Sequence, residues 1–136
     1  MRSLATFQTA LHLILGAAAV AAGQAFVRDP SGGALGMSID YLEGSPFRSY
    51  TIPGLFLAVI IGGTNFVSAV ALRRKWTNAP AMSLVTGLLL VAWVSIQTAI
   101  IGFRHWSQAI WWVTFTVVAA LGGILTRRAA RSGKQL

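Results

Sequence analysis

Four stretches of this chain, residues 5–26, 53–72, 80–103 and 108–125, contain no Asp, Glu, Lys or Arg, and each runs for 18 to 24 residues. A helix needs about 20 such residues to cross a hydrocarbon core, which is about 30 Å thick against a rise of about 1.5 Å per residue. Lipid cannot hydrogen-bond an exposed backbone, so segments of this kind fold as helices. The period-2 alternation that marks barrel strands is absent from them. The expected fold class is an all-α membrane protein: an antiparallel bundle of four transmembrane helices with a structured extracytoplasmic loop over 27–52, between the first two. The whole of 1–136 reads as a single integral membrane domain ending in a basic cytoplasmic tail, 126–136. The first stretch also has features of a secretory signal peptide, with Arg2 before an apolar run and small residues around Ala22–Ala25. We read it as a retained span.

The chain carries 11 Lys and Arg against 3 Asp and Glu, a net charge of +8. Such an excess invites a nucleic acid partner, but its distribution points elsewhere. Four spans put both termini on one side, with Arg2, Arg73, Arg74, Lys75, Arg127, Arg128, Arg131 and Lys134. On the other side Arg28, Arg48 and Arg104 balance Asp29, Asp40 and Glu43. Basic residues collect on the cytoplasmic face, so both termini are expected inside, in a bacterial inner membrane. The bilayer, with its anionic lipid, accounts for the charge, and no nucleic acid partner is expected. Cysteine is absent, which excludes disulfides, thiolate metal sites and thiol redox chemistry.

Segment 27–52 is the one connection long enough to carry structure of its own. Asp29-Pro30 and the glycines of SGGALG supply turns, Asp40 is a candidate cap, and Ser45-Pro46 reads as an N-cap and N1 pair. Pro53 is placed at N1 of the second span. Its apolar residues should lay the loop back over the bundle. Tyr50, Trp106, Trp111 and Trp112 are expected in an outer aromatic belt and Trp76 in an inner one. Asp40, Glu43, Arg48 and Arg104 are expected to form an ion-pair cluster pinning the loop to the turn after the third span.

Gly54, Ala58 and Gly62, with Gly63 beside them, place small residues on one face of span two, where backbones can approach closely. Ser95 with Ala99, and Ala119 with Gly123, offer similar faces. We read these as helix packing within one chain, with a homodimer seam as the alternative. Among intramembrane polar residues Asn65 and Gln97 stand out, either joining helices or, with Trp93, lining a cavity under the loop. His12 with Gln8 reads as a polar patch near the cytoplasmic interface. His12 and His105 lie about 15–20 Å apart along the membrane normal, too far to share one iron, so neither a metal nor another cofactor is expected. No catalytic motif is present and no span carries a carboxylate, so an enzyme or a carboxylate-driven exporter is not expected.

The run DPSGGALGM…YLEGSPFRSYTIPGLFL, residues 29–57, resembles a group of uncharacterised small bacterial four-helix inner-membrane proteins. More distantly the layout is similar to DoxX-like proteins, some of which are partners of quinone-linked redox enzymes. The resemblance implies a bacterial inner membrane and four helices, and leaves the activity open. The expected role is non-enzymatic: an accessory or assembly subunit joined to a partner membrane protein, or a small homo-oligomer. Two alternatives are a binder or carrier of an apolar small molecule (lipid or quinone) under the 27–52 loop, and a subunit of a quinone-linked redox complex.

Overall fold

The computed structural model describes residues 2–104 and 106–133; His105 and Lys134 lie outside the described residues, as does the side chain of Arg2. Four long helices dominate: α1 (Arg2–Arg28), α2 (Thr51–Arg73), α3 (Ala79–Ile101) and α4 (Ser107–Arg131). All four are long and apolar enough to cross a membrane. Helices α1, α2 and α4 outrun their charge-free stretches because Arg28, Arg73 and Arg127 to Arg131 continue the helical hydrogen bonding while their long stems carry the charge outward, whereas α3 ends at Ile101, short of residue 103. Large apolar side chains such as Ile14, Val85, Phe103 and Val113 are more than 60% exposed, as an apolar solvent permits.

Helix α2 is not uniform. A π-helical turn over Leu57–Ile61 interrupts it. Positions eight apart in an unbroken α-helix drift by about 80° around the axis, whereas a π turn takes up more residues per turn. Gly54, Ala58 and Gly62 consequently all face α1. A Cβ on Gly54 would sit 2.7 Å from the Phe26 Cβ, and one on Gly62 would sit 2.8 Å from Val20 Cγ2. From the other side, a Cβ on Gly23 would fall 2.5 Å from both the Gly54 carbonyl oxygen and the Ala58 Cβ. The helices therefore touch backbone to backbone. Gly63, grouped with this face from the sequence, has nothing within 4 Å of a Cβ and packs against nothing.

Helices α3 and α4 meet in the same way, through Ala119, which the sequence pattern singled out, and through Gly87 and Gly122, which it did not. Gly87 lies against Ala119, and Gly122 against Leu84, with backbone atoms 2.6–2.7 Å from a Cβ placed on either glycine. The expected Ser95–Ala99 face is not this seam: the Ser95 hydroxyl donates to the Val91 carbonyl of its own helix, and Ala99 is exposed. Gly123 lies beside the seam, 3.9 Å from Leu84 Cδ1.

Segment 29–50 contains two short 3₁₀ turns, Gly33–Leu35 and Ile39–Leu42. Asp29 organises the first: its carboxylate accepts from the Ser31 hydroxyl (2.6 Å) and from the Ala34 amide (3.0 Å). The Ser31 hydroxyl, foremost, holds the Asp29 carboxyl below the ordinary carboxylate range. At the second turn Ser38 is the cap, its hydroxyl oxygen accepting from the Asp40 amide, so Asp40 is the capped residue and not the cap. No helix starts at Ser45-Pro46; the Ser45 hydroxyl donates to the Leu42 carbonyl and accepts from the Phe47 amide. Pro53 is the third residue of α2 and not its first, a position equally free of any intrahelical demand on its missing N–H.

Tyr50 is the hub of this segment and is only 3% exposed, not a member of a surface aromatic belt. Its ring stacks on Phe26 at 4.8 Å, its amide donates to the Pro30 carbonyl, and its hydroxyl donates to the Ser38 carbonyl at 2.7 Å. Burial raises the phenol above its usual value, which keeps that donor in place. Gly32, at φ 84°, brings the chain flat against the ring, where a Cβ would lie 2.6 Å from it. Trp76, Trp106, Trp111 and Trp112 remain exposed.

Gly54→Leu and Gly62→Leu should each lower stability in detergent by about 1–3 kcal/mol through overpacking, whereas Gly63→Ala should leave the unfolding midpoint unchanged or slightly raised. Equal losses at all three positions would contradict the packing described. The Ala34 amide NMR signal should titrate with Asp29. Because the folded value is depressed, the turn is held above the ordinary Asp range and loosens as pH falls through the lowered value; Asp29→Asn should abolish that titration.

Candidate functional site

Two features are unlike the rest of the bundle: a buried polar chain and a pair of half-open cavities. The polar chain begins at Gln8 on α1. Its Nε2 donates to the Val118 carbonyl of α4 (2.9 Å) and to the Ser83 hydroxyl oxygen of α3 (2.8 Å). Ser83 Oγ lies 2.8 Å from His12 Nε2, and His12 Nδ1 lies 2.8 Å from Asn65 Oδ1 on α2. Asn65 Nδ2 in turn donates to the Ile61 carbonyl, at the end of the π turn (2.7 Å). Gln8, His12, Asn65 and Ser83 are all 0% exposed.

The donors fall in one consistent direction. The amide of Asn65 is fixed by Ile61, so its oxygen faces His12 and Nδ1 carries the ring proton. The Ser83 oxygen receives the Gln8 amide, which leaves its own proton to donate to His12 Nε2. The order is Gln8 to Ser83 to His12 to Asn65 to the Ile61 carbonyl, and all four helices contribute. A second link, Ser68 Oγ to Thr86 Oγ1 at 2.8 Å, ties α2 to α3 nearby. Gln8 Oε1 is the only buried side-chain polar atom among the described residues without a hydrogen-bond partner.

Gln8 and His12 are thus fully buried between the helices, and not a patch on the surface of the bundle. Asn65 belongs to this chain; it lines neither cavity and does not meet Gln97. His12 and Asn65 sit at matching depths on spans one and two, a signal available in the sequence once the two spans are laid against each other. Ser83 and Thr86 gave no such signal, because isolated hydroxyls normally satisfy themselves on their own helix, as Thr64, Thr98 and Thr116 do here.

The cavities lie at the other end of the bundle, under residues 35–50. One, of about 280 Å³, is walled by Phe26, Leu42, Phe47, Tyr50, Phe56 and Ile100, among others. The second, of about 270 Å³, runs between the helices from Leu15 and Ile61 to Arg104, Gln108 and Trp111. Phe26, Met37, Trp93, Gln97 and Ile101 line both. Trp93 is held by stacking on Phe56 at 5.1 Å. The sequence placed Trp93 and Gln97 in a cavity under the loop, and both residues line these two.

The expected ion-pair cluster does not form among the described residues. Asp40, Glu43 and Arg48 are exposed, and Arg104 lies over the Tyr41 ring, 4.5 Å from its centroid. The reason is local. Gln108 accepts from the Arg104 amide and donates to the Gly102 carbonyl, while Arg104 Nε donates to the Ile101 carbonyl. The turn after α3 is thereby closed by its own groups, and Arg104 lies exposed at the edge of the second cavity. No group of three or more His, Asp or Glu that could hold a metal ion occurs among the described residues.

No protein-family model, curated protein or solved structure matches this chain.

Removing either side chain of the His12–Asn65 pair should destabilise the bundle by about 1–3 kcal/mol, because the other is left buried and unsatisfied. The coupling energy from the double-mutant cycle of His12→Leu and Asn65→Leu should be smaller, about 0.6 kcal/mol and at most about 1.7, as for hydrogen bonds between membrane helices. Additive single losses would show that the two side chains do not act together.

Proposed function

We propose that this protein binds an apolar or amphiphilic small molecule in the cavities beneath the 27–52 segment. The observation that carries the reading is the shared wall of Trp93, Gln97 and Ile101 between two apolar cavities of about 280 and 270 Å³. Either is close to the lower end, about 300 Å³, of small-molecule sites, and together they fall within that range. Their lining is apolar with a small number of polar groups, the composition that such sites have. In this reading the four helices form an antiparallel bundle in a bacterial inner membrane, with both termini cytoplasmic and the 27–52 segment as an extracytoplasmic lid. The charge balance supports that orientation, with eight basic residues on the side of the termini and none in excess on the other.

A role as an accessory subunit or homo-oligomer is the second reading. It is supported by the absence of reactive groups in the spans. It loses part of its basis because Gly54, Ala58 and Gly62, which would form a seam to another chain, are occupied by α1. The DoxX-like resemblance and a place in a quinone-linked complex belong with this reading, and a quinone is also an acceptable guest for the cavities.

Native mass spectrometry of protein extracted in mild detergent should show a small molecule retained by the wild-type chain and lost from Ala92→Trp and Ala19→Trp, which fill one cavity each. Protein that carries no small molecule, with the bundle intact, sinks the binding reading.

A further inference from the structure

The second cavity has a polar end and the first does not, and this difference selects a ligand. Around its inner reach the second cavity is walled by Leu15, Ala19, Ile61, Leu90 and Phe115. Its mouth is formed by Arg104, Ser107 and Gln108, at the start of α4. Gln108 is only 8% exposed and holds the turn from both sides, so the backbone that carries Arg104 is fixed. The guanidinium makes one hydrogen bond, to the Ile101 carbonyl, and lies on the Tyr41 face; no carboxylate pairs with it among the described residues. Asp40 and Glu43, the acids of the same segment, are exposed and do not reach it.

We propose that the second cavity binds a long-chain fatty acid, with its carboxylate on Arg104 and its acyl chain running inward toward Leu15 and Phe115. This rests on the cavity reading above and adds the chemistry of the headgroup. Three physical points favour the assignment. Arg104 is exposed at the rim, so a carboxylate can pair with it at the surface while only the acyl chain enters the cavity. The fork of a guanidinium matches the two oxygens of a carboxylate. The positive end of the α4 dipole faces the same mouth and adds to the preference. The space on this side, about 270 Å³, takes the greater part of one acyl chain. Burial of the chain against the apolar lining supplies the affinity, and Arg104 supplies the discrimination.

The test is binding of oleate and of its neutral ester, methyl oleate, to the full chain in a non-ionic detergent, read by native mass spectrometry and calorimetry. Oleate should bind about tenfold more tightly than methyl oleate, the size expected for one charge-assisted contact. Arg104→Gln should remove that advantage and leave methyl oleate binding unchanged. Arg104→Lys should restore it in part, which excludes loss of folding as the cause. Equal binding of the two probes, or Arg104→Gln binding oleate as the wild type does, overturns the headgroup assignment while the cavity reading stands. Failure of both probes to bind overturns the cavity reading as well. An Arg104-dependent preference for a monoacyl phosphate over oleate by tenfold or more overturns the carboxylate in favour of a phosphate headgroup.

Discussion

An apolar helix surrounded by lipid gains little by exchanging lipid for another apolar helix, so a bundle of such helices must be held by something other than hydrophobic burial. Here two devices do it. One is the approach of backbones at glycine: Gly23 against Gly54 and Ala58, Gly62 against Val20, Gly87 against Ala119, and Gly122 against Leu84. The other is the chain of hydrogen bonds from Gln8 through Ser83 and His12 to Asn65. The first fixes how near the helices come, and the second fixes which residues lie level with one another. Cavities are the counterpart of both. The second cavity is lined by aliphatic and aromatic side chains such as Leu15, Trp93 and Phe115, and by no glycine.

The interior is organised in levels along the bundle. Ala71, Leu72, Ala79 and Leu125 form an apolar cluster near one end. Leu15, Ile61, Leu90, Val94 and Phe115 form the central one, and Phe26, Leu42, Tyr50 and Ile101 form a third beneath the 29–50 segment. The polar chain ties α1 to the three other helices, on the side of the central cluster away from that segment. The cavities open on the side facing it. The hydrogen-bonded polar chain and the open space are thus at opposite ends, with Tyr50 beside the latter.

Segment 29–50 shows how a short polar sequence produces a defined cover. Asp29, Ser38 and Ser45 each satisfy nearby backbone groups, so the chain can turn three times without a helix or a strand. Tyr50 then joins these turns to the bundle through one stacked ring and one hydroxyl bond. The acids of the segment do not hold it down. Asp40 and Glu43 are exposed, and the cation that the sequence assigned to them, Arg104, lies over the Tyr41 ring at the edge of a cavity.

The number of helices and their approximate limits were legible in the residues alone, because the absence of charge over 18 residues or more is a local property that hydrocarbon enforces regardless of how the helices meet. Gly54, Ala58 and Gly62 were legible as a small-residue set, but the π turn that aligns them on one face, and the exclusion of Gly63 from it, were not. Which residues pair across the bundle was not. Asn65 lies beside His12 instead of Gln97, Gly122 carries the α3–α4 seam instead of Gly123, and Arg104 finds an aromatic ring instead of an acid. Each of these depends on the rotation of one helix about its axis relative to another. A helical repeat read in isolation leaves that rotation open, the π turn in α2 alters it midway, and only the packed tertiary structure sets it. The sequence by itself determined four spans and the kinds of residue inside them. The tertiary structure decided that six polar side chains are used to join helices, and that Trp93, Gln97 and Arg104 are left to face open space.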